Sequence, residues 1–354
     1  MSESSLPANT FLRLLAEKRF LLADGATGTN LFSMGLMTGD APELWNVDHP
    51  DRIAAHYRTF IEAGSDIILT NTFGGNRRRL MLHQGQERVH ELNVAAVRIL
   101  KDEIAKSGRT IAVGGSMGPT GDILEPNGPL SMVEAADVFE EQARALAEAG
   151  VDVLWLETLS SREEVMAAVQ GAGRVGLPLV NTLSIDTNGR TMMGLTAADI
   201  IHLQPVLHPH PIACGTNCGV GASEVVAAVL NFFNAAGVEQ EPIIIAKANC
   251  GIPEYVDGKI VYNGTPELMA RYVELAMDAG ARIIGGCCGT SPEHIRVMRA
   301  AMDKHIPAAK PTLEAIQREL GDVSKGAQAQ LAGDLSVEGG ALGGTGRRRT
   351  TRRG

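Results

Sequence analysis

The chain has 354 residues, of which 41 are acidic and 32 are Lys or Arg, so its net charge is −9. This acidic balance argues against nucleic acid as the main partner, and no apolar run approaches the length of a membrane span. The first residues, Met1–Ser5, lack the basic-then-apolar pattern of a secretory signal, and the five cysteines are an odd number. We therefore expect a cytoplasmic protein with reduced cysteines and with neither nucleic-acid nor membrane partners.

In chain order, eight short aliphatic runs alternate with helical patterns. The runs predict strands at Phe20–Ala23, Asp66–Thr70, Ile111–Gly114, Val153–Leu156, Leu179–Leu183, Ile212–Gly215, Ile243–Ala246 and Arg282–Gly285. Amphipathic stretches predict helices between them, among others at Asp51–Ala63, Gln86–Lys106, Met132–Ala149 and Pro266–Ala279. Continuous apolar strands that alternate with helices indicate parallel strands buried on both faces. Eight such units predict an α/β fold, a (β/α)8 TIM barrel, rather than an open sheet.

The chain is predicted to be a single domain with additions at both ends. Residues 1–18 are assigned to a lead-in helix, 19–306 to the barrel and 307–332 to a helical extension. Within the extension, Thr312–Leu320 predicts an amphipathic helix suited to packing on a neighbouring subunit of a homo-oligomer. Residues 333–354 are rich in glycine and end in an arginine cluster, a composition that cannot build a core. We predict that they form a disordered tail.

Two cysteine-containing loops predict a metal site. Cys287 and Cys288 are adjacent where the last predicted strand breaks into glycines, and Cys218 follows the sixth strand. Adjacent cysteines bridge each other poorly, but from a loop both can turn towards one soft cation. The carboxyl ends of all barrel strands meet at one rim, so the three thiolates would bind Zn²⁺ with one position open, as in catalytic sites. The alternative is three buried core cysteines, since free cysteine is often buried.

The motifs at the strand ends resemble those of the zinc-dependent homocysteine S-methyltransferases. These motifs are Leu22–Thr29, Thr70–Gly74, Trp155–Thr158, Gly215–Cys218 and Gly285–Thr290. The family includes betaine–homocysteine methyltransferase, the S-methylmethionine-dependent enzymes and the homocysteine domain of cobalamin-dependent methionine synthase. The resemblance implies a barrel that binds homocysteine and makes methionine by methyl transfer to a zinc-activated thiolate.

The resemblance also implies roles for individual residues. The zinc ligands would be Cys218, Cys287 and Cys288, and the homocysteine site would contain Asp24, Gly25, Ala26, Thr72 and Glu157. Glu157, helped by Asp24, would hold the ammonium group, and backbone amides near Gly25–Ala26 would hold the carboxylate. A free thiol is mostly protonated near neutral pH, and coordination to zinc deprotonates it. Methyl transfer from a cationic donor then needs positioning more than acid–base help, so no general base is expected.

The methyl donor is predicted to be betaine, whose quaternary ammonium group is held well by aromatic faces. Trp45, Phe73 and Tyr255 are the candidates for the donor pocket. The mammalian betaine enzyme, however, has a tyrosine directly after the glutamate that matches Glu157, where this chain has Thr158. A separate methyl-corrinoid protein or S-methylmethionine therefore stays open as the donor.

Two interpretations of the cysteines from other functional classes also stay open. A zinc or redox sensor could use the three cysteines as a metal-release switch, but it would have no need of Asp24 and Glu157 beside them. A structural zinc protein would require a fourth permanent ligand, for which Cys250 at the end of the seventh strand is the candidate. We favour Cys250 as a small filler residue.

Overall fold

The computed structural model describes residues 8–186, 188–237, 242–251, 253–256 and 259–336, and for 253–256 and 259–261 it describes the backbone alone. The predicted disordered tail lies outside the described residues from position 337 onwards. Ten strands are described: β1 (Leu21–Leu22), β2 (Ile67–Leu69), β3 (Ala112–Met117), β4 (Val153–Leu159), β5 (Leu179–Leu183), β6 (Ala213–Cys218), β7 (Ile244–Ala248), β8 (Pro253–Val256), β9 (Lys259–Tyr262) and β10 (Ile283–Gly286).

Eight of these strands form one parallel sheet in the order β1-β10-β7-β6-β5-β4-β3-β2. A single parallel bridge between Ala23 and Ile67 joins the two outer strands and closes the ring. The fold is therefore the predicted (β/α)8 barrel. Strands β8 and β9 form a separate antiparallel hairpin in the loop after β7, a feature that the sequence analysis did not predict.

The described residues contain fourteen α-helices, most of which surround the barrel. They are α1 (Thr10–Glu17), α2 (Gly28–Ser33), α3 (Trp45–Asp48), α4 (Pro50–Ala63), α5 (Arg77–Met81), α6 (Val89–Ser107), α7 (Met132–Ala149), α8 (Arg162–Gly173), α9 (Ala197–Leu203), α10 (Ala222–Ala236), α11 (Pro266–Ala279), α12 (Pro292–Lys304), α13 (Leu313–Leu320) and α14 (Lys325–Leu331). None of these helices is long and apolar enough to cross a membrane.

Helix α1 closes the amino-terminal end of the barrel. Its Phe11 and Leu14 are buried in the same apolar cluster as the inward-facing residues of the strands, such as Ile67 and Ile283. Asn9 caps the helix by accepting a hydrogen bond from the backbone N–H of Leu12. The barrel is thus filled by side chains at this end, which leaves the carboxyl-terminal end for a ligand.

Five strands, β3, β4, β6, β7 and β10, continue beyond their predicted carboxyl-terminal limits, and β4 and β6 carry polar residues into the rim. Strand β4 reaches Leu159 and strand β6 reaches Cys218, so Glu157 and Cys218 lie within strands rather than in loops. Thr158 and Cys218 have left-handed backbone angles, with φ of 63° and 62°, which residues other than glycine rarely adopt. Such strained positions cluster at functional sites.

Helices α13 and α14 pack against the barrel of their own chain. Helix α13 lies on α10 and α11, and α14 lies on α10. Ile316 and Leu320 are buried there, and Ser223 of α10 donates a hydrogen bond to the carbonyl oxygen of Asp322. The prediction that this apolar face packs on a neighbouring subunit was therefore wrong, because the same chain covers it.

Candidate active site

A cavity of about 510 Å³ opens at the carboxyl-terminal rim of the barrel. Its wall includes Gly25, Ala26, Thr27, Gly28, Thr29, Asn71, Phe73, Gly74, Ser116, Glu157, Thr158, Cys218, Lys247, Cys287 and Cys288. These residues come from distant parts of the sequence, and the parallel strands bring them together because all strand ends point the same way. The predicted rim is therefore one continuous site.

The three predicted zinc ligands converge on this cavity. The Sγ atoms of Cys218, Cys287 and Cys288 all lie within 4.8 Å of one another, and those of Cys218 and Cys288 are 4.0 Å apart. Three thiolates at about 2.3 Å from a tetrahedral zinc ion would lie about 3.8 Å from one another. The cluster therefore offers both the donor chemistry and the spacing that a zinc ion with one open position requires.

Asn217, which precedes Cys218 in strand β6, contacts the cluster through its side-chain amide. Its Oδ1 atom accepts a hydrogen bond from the backbone N–H of Thr158 at 2.8 Å, and its Nδ2 atom donates to Cys287 Sγ at 3.7 Å. The hydrogen bond with Cys218, together with burial, raises the pKa of the Cys287 thiol above its usual value. The cysteines would thus be protonated near neutral pH unless a cation offset their charge.

Cys250 faces a different neighbour. It is buried, its Sγ atom lies 3.3 Å from Nε2 of His294, and its thiol donates to the carbonyl oxygen of Gly264 at 3.3 Å. Among the described residues, the cysteines close enough to share a metal ion are the three at the rim, without Cys250. Cys250 therefore packs against α12 rather than completing a fourth permanent ligand.

Of the two predicted carboxylates, Glu157 lines the cavity, whereas Asp24 is buried outside its lining, and the two differ in their partners. The Oε1 atom of Glu157 accepts a hydrogen bond from the hydroxyl of Ser116. Asp24 accepts from the backbone N–H of Leu69 through Oδ2 at 2.8 Å and from the ammonium of Lys247 through Oδ1 at 2.8 Å. Burial raises the pKa of Glu157, and the positive charge of Lys247 opposes this rise. Asp24 is thus satisfied within the protein, whereas Glu157 has an oxygen left for a ligand.

The remaining predicted homocysteine residues have distinct positions. Gly25 and Ala26 line the cavity, and the N–H of Ala26 donates to the carbonyl oxygen of Thr290 at 3.0 Å. A Cβ atom at Gly25 would lie 2.5 Å from that same oxygen, so this contact requires glycine. Thr72 is fully buried behind the wall, where its hydroxyl donates to the carbonyl oxygen of Ser116 at 2.7 Å.

The three candidates for the donor pocket do not lie together. Phe73 lines the cavity and packs against Gly118, where a Cβ atom would come within 2.7 Å of its ring. Trp45 is buried in the apolar core with the guanidinium group of Arg52 over its ring, away from the cavity wall. The side chain of Tyr255 lies outside the described residues.

Among the wall residues that the sequence analysis did not single out, three have polar groups placed near the predicted site. Lys247 comes directly after the seventh apolar run; it lies within strand β7 and lines the cavity. Glu43 is buried beside Phe73, and its Oε1 atom accepts from the N–H of Gly74 at 2.6 Å. Tyr262 ends the β8–β9 hairpin and packs over Gly289. A charged residue next to an apolar run was the available signal for Lys247.

Comparisons with known proteins agree with this geometry. A family model described as homocysteine S-methyltransferase matches residues 21–302. The chain is 28% identical over 316 residues to methionine synthase of Mycobacterium tuberculosis, and 28% identical over 307 residues to that of Mycobacterium leprae. These matches cover 83% and 82% of this chain but 25% of each relative, so the chain spans about a quarter of their length.

A solved structure shows the same fold. The metallated form of the homocysteine methyltransferase MmuM from Escherichia coli has a TM-score of 0.68 and 23% sequence identity to this chain. The match covers 82% of this chain and 99% of that one. The barrel is therefore shared over nearly the whole length of that enzyme.

Proposed function

The chain belongs to the homocysteine S-methyltransferase family, and we propose that it is a zinc-dependent enzyme that methylates homocysteine to methionine. The observation that carries the proposal is the convergence of Cys218, Cys287 and Cys288 within 4.8 Å of one another beside a buried carboxylate in the open cavity. Zinc held there would lower the pKa of the homocysteine thiol and so supply a thiolate at neutral pH.

The protein residues have binding and orienting roles in this proposal. Glu157 accepts hydrogen bonds from the substrate ammonium with the oxygen that Ser116 does not occupy. Asn217 fixes the position of Cys287 through its amide group. The sulfur electron pair forms the new C–S bond while the bond between the methyl group and the donor breaks, with its electron pair going to the donor. No side chain has to transfer a proton in that step.

Betaine is the first donor candidate. Phe73, together with Phe32 and Tyr262 on the same wall, offers aromatic faces to a trimethylammonium group. The buried carboxyl group of Glu43 accepts a hydrogen bond from the N–H of Gly74 in the same part of the cavity, and although burial raises its pKa, its ionised form would add a negative charge there. A cationic donor thus has both kinds of partner there.

A methyl-corrinoid protein is the second candidate, and the surface of the rim favours it. Loops at this end of the barrel expose large apolar side chains, namely Phe32, Met37, Met81, Leu82, Ile123, Met192 and Met193. Exposed apolar side chains of this size often mark a surface where a protein partner binds. The relatives named methionine synthase are about four times as long as the matched region, so they have further parts that could carry a donor.

An assay of purified, zinc-loaded protein with homocysteine tests the function and separates the donors. Betaine, S-methylmethionine and a methylated corrinoid are supplied one at a time, and methionine is measured by mass spectrometry. The Cys287→Ala variant should lose zinc and activity together, whereas Cys214→Ala, a buried cysteine of β6 outside the cluster, should keep its zinc. Full zinc occupancy in Cys287→Ala, or no methionine with any donor, would contradict the proposal.

A further inference from the structure

Lys247 is a buried cation at the floor of the cavity. Its side chain is 3% exposed, and its ammonium lies 2.8 Å from Asp24 Oδ1. Burial opposes the charge, but the nearby carboxylates of Asp24 and Glu157 outweigh this effect and raise the pKa of Lys247. The lysine therefore stays charged between the carboxylates and the cysteine cluster.

The hydrogen bonds of Lys247 leave it incompletely satisfied. An ammonium group has three N–H donors. In the described part of the chain, the ammonium of Lys247 has one hydrogen bond, to Asp24, and lies 5.7 Å from the centre of the Trp155 ring, although the residue lines the cavity. Buried N–H groups without an acceptor are costly, so a ligand that supplies acceptor oxygens would bind well here.

Asp24, in contrast to Lys247, has a hydrogen-bond partner for each of its oxygens. One of its oxygens binds Lys247 and the other binds the N–H of Leu69. The ammonium of an amino acid would therefore compete with a lysine for Asp24, whereas Glu157 accepts one hydrogen bond from the described residues, from Ser116 to its Oε1 atom. Glu157 is thus the carboxylate that is free to receive a substrate ammonium.

The carboxylate of an amino acid needs donors on the same floor. The backbone N–H of Ala26, one of the expected donors, is already hydrogen-bonded to Thr290. Lys247 is a pocket-lining cation whose positive charge acts on Glu157, the carboxylate proposed for the ammonium group. Other cationic side chains on the wall, Arg79 and His83, belong to the segment after β2.

We propose that Lys247 binds the carboxylate of the amino-acid substrate, with Asp24 as its positioning partner, while Glu157 binds the ammonium group. This inference rests on the proposed function, because homocysteine is the substrate it assigns. The pair would make the site selective for thiols that carry an α-amino-acid group. A simple aminothiol would lose the contact with Lys247 and keep the contact with Glu157.

Direct binding measurements test this role without turnover. The protein is loaded with Co²⁺, and thiol binding is followed through the change in the absorption spectrum of the metal. Homocysteine is compared with 3-amino-1-propanethiol, which lacks only the carboxylate, in the wild-type protein and in Lys247→Met. We expect Lys247→Met to weaken homocysteine binding about 10- to 150-fold, the range for a hydrogen bond between charged groups, and not to weaken binding of the aminothiol.

A second variant guards against misfolding. Lys247→Met leaves Asp24 buried without its cation, so the double variant Asp24→Asn, Lys247→Met is made as well, and circular dichroism and metal content confirm that it folds. It should show the same loss of preference for homocysteine over the aminothiol. Equal weakening of both thiols, or an unchanged preference, would overturn the role of Lys247. A wild-type protein that binds metal but no homocysteine would instead overturn the proposed function itself.

Discussion

Two buried aspartates, one at each end of the barrel, form similar ion pairs that have different roles. Asp24 lies after β1 at the carboxyl-terminal rim, and its lysine partner is also buried, with a side chain 3% exposed. Asp66 lies before β2 at the other end, and its cationic partners Lys18 and Arg299 have side chains 44% and 22% exposed. Both aspartates also accept a hydrogen bond from a backbone N–H.

The difference between the two sites lies in what the cations face. Lys18 and Arg299 are partly exposed, and Arg299 also pairs with the exposed carboxylate of Asp303, so solvent and a surface group are available to N–H groups that Asp66 does not bind. Lys247 faces a cavity instead, so the ammonium N–H groups that do not bind Asp24 can donate to a ligand in the cavity. In this fold the carboxyl-terminal face carries the chemistry and the amino-terminal face carries stability. Substitutions at the two ends should therefore affect different measurements.

The largest effect is expected at the amino-terminal end, in the stability of Asp66→Ala. This change leaves Lys18, Arg299 and the buried N–H of Leu22 without their common acceptor. We expect the free energy of unfolding to fall by about 3–5 kcal/mol, because a hydrogen bond to a charged group contributes about 1.5–3 kcal/mol and a buried N–H left without an acceptor costs about 1–3 kcal/mol more. Urea denaturation measures this loss, and the folded fraction should bind homocysteine as the wild type does.

The matched control is Asp303→Ala, which removes an exposed carboxylate from the same Arg299. Its effect on stability should stay within about 1 kcal/mol, because exposed ion pairs contribute little. A folded Asp66→Ala protein with weakened homocysteine binding would break the proposed separation between the two ends of the barrel.

The sequence revealed the barrel because eight apolar runs recur between helical patterns, and it revealed the cysteine cluster because its two loops are unusual. It did not reveal that Lys247 is buried at the site, since the seventh apolar run ends at Ala246 and lysine is mostly an exposed residue. Nor did it reveal that Trp45 is buried, because burial depends on the helices packed around the residue. The sequence did carry a signal for the β8–β9 hairpin, because Asp257-Gly258 stands between two short runs with β-branched and aromatic residues, a pattern typical of a hairpin turn.

An intermediate effect is expected at the carboxyl-terminal end, in Glu157→Gln. Replacing the carboxylate with an amide removes one charge from the hydrogen bond to the substrate ammonium. Homocysteine binding should weaken by about 1.5–3 kcal/mol while zinc stays bound. Binding of 4-sulfanylbutanoate, which lacks only the amino group, should not change. Calorimetry with the zinc-loaded protein measures both affinities.

Glu164→Gln is the control for this change of carboxylate to amide. Glu164 is also buried, but it accepts hydrogen bonds from the N–H and hydroxyl of Thr120, away from the cavity. It should lower stability and leave both affinities unchanged. If Glu157→Gln behaves in the same way as this control, Glu157 has a structural role and the assignment of the ammonium site is wrong.

The smallest effect is expected for Lys18→Met, which makes at the amino-terminal end the same change as Lys247→Met at the rim. Lys18 lies 2.5 Å from Asp66, but nearly half of its side chain is exposed and Arg299 also binds Asp66. After the change Arg299 still pairs with Asp66, and water can solvate the carboxylate where the lysine was. The free energy of unfolding should therefore fall by less than about 1 kcal/mol. Homocysteine affinity, zinc content and preference over the aminothiol should match the wild type. Because the substitution is identical at both lysines, a loss of preference in Lys247→Met and not in Lys18→Met would assign the effect to the position of the cation. A similar loss in both variants would mean that removing any lysine from the barrel disturbs the site.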